Sequence, residues 1–557
     1  MAHVPRFLYG LALSLLLAAP VASWLAGQDE HLRLLLLIGA AMVVALRPIR
    51  VVTDIALGTL CVLGMASTKG AWTFAFLGTA AAVGVLAIVW RRFGAGVSIG
   101  LIATAAVIAG AVADPKQVHL PVHTWNQFHY VLGTKYFDEV GYHDLYPAVL
   151  LADEDGSRHF TNVRSLRDMH SYSMMSRDDA LSRATEEGAR ARFTDARWAD
   201  FQHDLDVFYP MFAAKTWPGV FTDLGYNPSP VWVAIHQPLL KLVPLSRRAL
   251  EGFALLQVPM YLGALGACLW AFGLRATLWI VLWNLLFFGS QGRLFGGYWS
   301  YDWLALVLVA AALVAKGRPA LAAVPIAIGG LMRGFGGLLA VGPTVQWLVH
   351  TVRERRLEPW TTRFLGALAL AMLGLVGVTV VAYGPDAWVG WYEKIELHSS
   401  RISTGGRHLG LKVLFGEDWS VPGHTADLDA RREIYAGQSW AYHLVQGVLV
   451  VWTAWVARKR TRLDAALLGF IPAFALMVLS RYYYAAWSVV LLLGAQSRVV
   501  QVGMFAILAL HEAEFFVTGT TPDSRHQDVN LLVLVLSVAT LVTYTVRDWT
   551  SKTRRRA

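Results

Sequence analysis

The stretch WNQFHYVLGTKYFDEVGYHDLY, Trp125 to Tyr146, separates two kinds of sequence. Almost unbroken apolar sequence precedes it, and a mixed, polar segment follows it to about residue 250. Within it, rings alternate with His129, Lys135, Asp138 and Asp144. A change of that kind marks the place where a chain leaves a bilayer. The fold therefore turns on whether the flanking runs are membrane spans.

Composition answers that question. The 557 residues are 56% hydrophobic and only 15% charged, with mean hydropathy +0.46, a balance that excludes a soluble globular class over such a length. Apolar runs bounded by Arg, Lys, Asp or Gly recur at 7–26, 32–46, 51–66, 71–90, 95–113, 251–274, 276–290, 301–315, 319–332, 334–350, 364–384, 440–457, 463–479, 482–496, 499–515 and 529–546. Alternate connections differ in charge. One set, from Arg6 through Arg91, Arg355 and Arg458 to the tail after Arg547, holds 22 basic residues; the short connections of the other set hold 6. That asymmetry places the basic set inside. The expectation is an all-α polytopic membrane protein of about 16 helices in the plasma (inner) membrane, multi-pass, with both termini cytoplasmic. The first run is read as an uncleaved span, although LLLAAPVASW also offers small residues for a signal-peptide cleavage.

On this reading residues 1–113 and 251–384 are transmembrane sets, and 439–546 is a third, followed by a basic tail at 547–557. Residues 114–250 and 385–438 are extracytoplasmic. In the first of these, FHYVLGTKYFDEV reads as an interfacial helix stopped by Gly141, and Trp198, Phe201, Leu205 and Phe208 define an amphipathic helix. TDLGYNPSPVW is turn-rich. The Gly-rich HSSRISTGGRHLGLKVLFGEDW, from His398, reads as a mobile loop. Cys61 and Cys268 sit in apolar runs, which excludes a disulfide framework. The dispersed basic residues do not form a nucleic-acid surface, and no nucleotide, metalloprotease or hydrolase motif occurs in a usable context.

The order of polar residue, aromatic pair, small residue, aromatic, acidic residue and Gly-x-x-x-Leu-Tyr resembles the first outer loop of GT-C glycosyltransferases. It is nearest to the polyprenol-phosphate-sugar-dependent, mannosyltransferase-like proteins of the family 87 type. GGYWSYDWLALVLVAAAL and the short helices around LMRGFGG are similar to later elements of that family. The resemblance implies a helical bundle under an outer loop whose short helices lie on the bilayer. It further implies a catalytic carboxylate in that loop and inverting transfer of a hexose or pentose from polyprenyl phosphate to an extracytoplasmic lipid, glycan or protein acceptor. No metal or nucleotide sugar is implied.

The chain departs from the family where an Asp usually precedes the aromatic pair. Trp125 and Asn126 stand there, and an Asn accepts no proton at neutral pH. Asp114, Asp138, Asp144 and Asp302 remain as candidates for the base that deprotonates the acceptor. Arg293, Arg333 and Arg481 lie on the outer side against the general charge trend, suited to a departing lipid phosphate. Asn126, His129, Tyr130 and Lys135, with His398 and His408 of the second outer segment, are candidate substrate contacts. The alternatives are a flippase or transporter of lipid-linked saccharide, an O-antigen polymerase- or ligase-like enzyme, and a membrane scaffold.

Overall fold

The computed structural model describes residues 122–286, 296–402, 408–419, 428–493, 500, 504 and 524–556, and it is mostly helical. The first five expected spans, most of 499–515, Asp114 and Arg293 lie outside the described residues. Four described helices are long and apolar enough to cross a bilayer: Arg247–Gly273, Pro359–Tyr383, Asp429–Ala457 and Val529–Thr550. Their large apolar side chains stay outside, as lipid permits; Leu262, Leu370, Val381 and Val451 are all exposed.

Other expected spans take shorter forms. Asp302–Ala315 and Pro319–Arg333 are helices of 14 and 15 residues. The 334–350 run divides into a 3-10 helix, Phe335–Ala340, an α-helix, Val341–Leu348, and a π turn, Val349–Arg353. The 463–479 run breaks between Arg462–Leu467 and Phe470–Leu476. At that break the chain crosses another backbone so closely that a Cβ on Gly469 would lie 2.0 Å from the Leu338 carbonyl oxygen. The 482–496 run opens as a 3-10 helix, Arg481–Val489. Hydropathy shows that these runs are buried, but not that backbone crossings divide them.

Residues from 122 to about 250 build an outer unit, outer in the sense of lying at one end of the helical bundle, with its own core, in which Phe128, Tyr146, Phe201, Trp217 and Trp232 are fully buried. Side chains written into the sequence start its helices. Ser176 accepts from the Asp179 N–H, Thr194 from the Arg197 N–H, and Ser229 from the Trp232 N–H with Pro230 in the first turn. Asp195–Phe208 buries Trp198, Phe201, Leu205 and Phe208, the face their spacing predicts. Tyr298, Leu331 and Met332 join the same core, so the unit is seated on the ends of the short helices.

Two expectations change. The Trp125–Tyr146 stretch is not a surface helix. Its helical run passes through π geometry at Phe128–Leu132, and Phe128 to Phe137 are buried apart from Tyr130. Its charged lysine finds its partner inside: Lys135 Nζ and the Tyr136 hydroxyl both donate to Asp204 Oδ2, each at 2.7 Å. Those partners lie about 70 residues away in sequence, so the local pattern cannot reveal them. Of the segment after His398, residues 403–407 lie outside the described residues, and the part from His408 is held in place. Helix Asp386–Ile402 covers its start, and His408–Leu409 pairs antiparallel with Leu479–Ser480. Asn530 then fastens it, donating to the His408 carbonyl at 3.1 Å and accepting from the Gly410 N–H at 2.7 Å.

Gly133 tests the first change. A Cβ there would fall 2.5 Å from the Tyr226 ring. Gly133→Ala should lower stability by about 1–3 kcal/mol through overpacking, read as a drop in the thermal midpoint of purified protein. Gly252→Ala, with nothing within 4 Å, serves as the control. An unchanged midpoint for Gly133→Ala would return the stretch to the membrane surface.

Candidate active site at the outer ends of the short helices

Successive residues of the quoted stretch reach different parts of the molecule. Trp125 Nε1 donates to Asp223 Oδ2 at 2.5 Å, and Asn126 Oδ1 accepts from the Tyr298 N–H at 2.9 Å. Gln127 Nε2 donates to the Leu250 and Gly296 carbonyls at 3.0 and 2.8 Å. Phe128 packs edge-on against Phe208 and Trp217. His129 and Tyr130 then point into two separate polar clusters.

The Tyr130 cluster gathers several sequence-predicted residues. Arg333 ends its helix with Nη1 donating to the Tyr130 hydroxyl at 3.1 Å, and its guanidinium lies 5.4 Å from the Tyr130 ring and 5.1 Å from Trp232. Asp302 begins the neighbouring antiparallel helix, so both charges stand at one end of the pair, with Lys316 and Arg318 at the other. Asp302 Oδ1 accepts from the Trp303 N–H at 2.6 Å. The buried Asp302 Oδ2 and Arg333 Nε have no hydrogen-bond partner among the described residues. Trp303, Phe335 and Tyr483 form an edge-to-face triad beside them, with centroids 4.9–5.7 Å apart. Arg481, described here by its backbone, opens the turn that carries Tyr483, and His408 pairs with the adjoining Ser480. The His236 ring lies tilted against Trp232, centroids 4.1 Å apart; burial, and then the Arg333 charge, push its pKa down to about 3, so the ring is neutral.

The His129 cluster contains residues that sequence reasoning missed. His129 Nδ1 lies 2.8 Å from the Trp125 carbonyl and Nε2 2.6 Å from the Tyr146 hydroxyl. Burial holds its pKa below the ordinary value while the charge of Asp223 pulls the other way. Lys394 is fully buried, with Nζ 2.9 Å from Met169 Sδ and 4.6 Å from the centre of the Tyr172 ring. Burial depresses it to about 7, against the pull of Asp168. One turn later His398 Nδ1 meets the Tyr172 hydroxyl at 3.2 Å, and burial, then Lys394 and His408, lower it to about 4. A signal for Lys394 was present: it falls in the apolar stripe of Trp388, Trp391 and Leu397. Asp223 had none beyond its place in a turn-rich segment.

Three other candidates have structural partners. Lys135 is held by Asp204 in the outer core. Asp138, about half exposed, takes Lys241 and, at 3.2 Å, Gln237. Asp144 pairs with Arg192 and lies 3.9 Å from His170. Among the described residues no group of three or more His, Cys, Asp or Glu is arranged to hold a metal ion.

Helices able to cross a bilayer, capped by an outer unit with a polar site at the junction, define a helical membrane protein. No family model matches the chain, and neither does any curated protein or solved structure.

Asp144 gives the outer unit a definite acid response. Burial would raise its pKa, but the nearby His170 and the hydrogen bond from Arg192 prevail and hold it at about 2, below the ordinary 3.8. The folded form thus takes up this proton later than the unfolded chain. Its stabilising contribution is complete above pH ~4 and is lost as the pH falls through ~2. Asp144→Asn should lower the thermal midpoint near pH ~6 and converge with wild type near pH ~2. A constant difference across that range would assign the effect to packing alone.

Proposed function

We propose that this chain is a membrane glycosyltransferase of the GT-C type, moving one sugar from polyprenyl phosphate to an extracytoplasmic acceptor. The observation that carries the reading is the placement of Arg333 and Asp302 at the same end of two short helices, each keeping a polar atom without a partner among the described residues. In this reading Arg333, positioned by Tyr130, receives the charge that develops on the departing lipid phosphate. Asp302 takes the proton of the acceptor hydroxyl as its oxygen bonds to the anomeric carbon. The bond from that carbon to the phosphate oxygen breaks, and polyprenyl phosphate leaves with the electron pair. Trp303, Phe335, Tyr483 and Trp232 surround the site with rings that limit water. Asn126, which holds the Tyr298 backbone, and His408, on the strand beside Arg481, position the walls.

The test is consumption of a labelled polyprenyl-phosphate hexose by the protein in vesicles, with melting temperatures measured alongside. Arg333→Gln should cut the rate roughly a hundredfold, about 3 kcal/mol, the cost of one preorganised electrostatic contact. Arg333→Lys keeps the charge without the planar fork and should retain an intermediate rate. Equal rates in wild type and both variants would remove Arg333 from the mechanism. A wild-type protein that consumes no donor would end the glycosyltransferase reading.

This reading also requires the outer unit to face away from the cytoplasm. On a background with Cys61 and Cys268 replaced by Ala, Arg158→Cys, an exposed position of that unit, should react with an impermeant thiol reagent in intact cells. Lys459→Cys, exposed at the other end of the bundle, should react only after lysis. The reverse pattern would place the site on the side without polyprenyl-phosphate sugars.

A further inference from the structure

A second polar site lies at the far end of the bundle. Helix Pro359–Tyr383 runs from one to the other: Tyr383 meets Phe137 of the outer unit, while the N-cap Glu358 borders a cleft of ≈ 230 Å³. Gln346, His350, Arg458, Lys459 and Arg462 also line it. Gln346 Nε2 donates to the Ala457 and Arg460 carbonyls at 3.1 and 2.9 Å, which fixes the basic turn Arg458–Arg460 against the cleft. Arg462 is held by Glu358 at 2.9 Å and by the Trp360 ring, and Arg460 by Asp548. Among the described residues Glu358 is the one carboxylate in the lining, and Arg462 already engages it.

Two nitrogens differ from these. Arg458 stacks 4.5 Å from the centre of the Trp455 ring, and its buried Nε has no hydrogen-bond partner among the described residues; nor has the buried His350 Nδ1. A stacked guanidinium with an unmet N–H in a cationic cleft suits a phosphate oxygen. The neighbouring surface is apolar in an unusual way for a charged rim: Leu348, Val352 and Leu357 are 47%, 74% and 62% exposed. Free phosphate gains nothing from those side chains, whereas acyl chains do.

We propose that this cleft binds the phosphate of an anionic membrane lipid, with Arg458 and His350 as its contacts and the Leu348, Val352 and Leu357 surface against the lipid tail. Basic pockets at the ends of membrane helices recognise headgroups in this way. The proposal does not depend on the glycosyl-transfer reading, because its readout is binding.

Purified full-length protein in neutral detergent is titrated with phosphatidylglycerol, phosphatidylcholine or inorganic phosphate, following bound mass by native mass spectrometry and the thermal midpoint. Phosphatidylglycerol should bind and raise the midpoint, and phosphatidylcholine should not. Arg458→Gln should weaken phosphatidylglycerol about fivefold to tenfold, His350→Ala should weaken it too, and Arg458→Lys should fall between Arg458→Gln and wild type. Arg355→Gln, an exposed basic position outside the cleft lining, should leave it unchanged. Inorganic phosphate matching the lipid in both readouts, with the same loss in Arg458→Gln, would support the anion site and overturn its assignment to lipid. Phosphatidylglycerol binding that is insensitive to Arg458 and His350, or equally weakened by Arg355→Gln, would overturn the site itself.

Discussion

The outer half of the molecule depends on the way Trp125–Tyr130 is tied down. A helix normally offers one face to its neighbours, but these six residues hold the Asp223 turn, the Tyr298 backbone, the Leu250 and Gly296 carbonyls, the outer core, Tyr146 and Arg333. The π turn beginning at Phe128 is part of the reason, since an extra residue per turn rotates successive side chains out of the usual stripe. Removing one tie leaves a buried polar group unpaired on a different element each time. The stretch thus sets the outer unit and the short helices relative to one another.

That arrangement separates two kinds of chemistry across one peptide bond. His129 faces a cluster with a carboxylate, Asp223, a buried amine, Lys394, and the ring of His398. Tyr130 faces Arg333 and, through it, Asp302. The buried Lys135–Asp204 pair lies further along and braces the helix from behind; at 2.7 Å, with a Tyr136 hydrogen bond on the same oxygen, it has the partners a buried ion pair needs to persist. Charged residues that look alike in the sequence therefore divide into braces and site residues according to partners far away in the chain.

The sequence was informative wherever a local rule decides. Trp198, Phe201, Leu205 and Phe208 announced their helix by spacing, Ser229 and Pro230 announced a helix start, and the long apolar runs announced Pro359–Tyr383 and Val529–Thr550. Arg333 and Asp302 stood out because charge is rare beside such runs. What stayed hidden depended on distant contact. Lys135 looks like a surface lysine until Asp204 is placed beside it, and nothing local marks His408–Gly410 as fixed until Asn530 clamps its backbone. Asp223 shows its place through the Trp125 indole, 98 residues away.

The two short helices carry a further consequence, one of thickness. At about 1.5 Å per residue, the 14 residues of Asp302–Ala315 and 15 of Pro319–Arg333 extend about 21–23 Å. A bilayer's hydrocarbon is about 30 Å deep. A pair of this length that spans the bilayer has at least one end recessed beneath the lipid headgroup level unless the membrane thins beside it. Such local mismatch draws headgroups down toward the protein. With the recess at the Arg333 end, lipid headgroups would reach that depth by following a depression in the bilayer, and their chains would never have to leave the membrane.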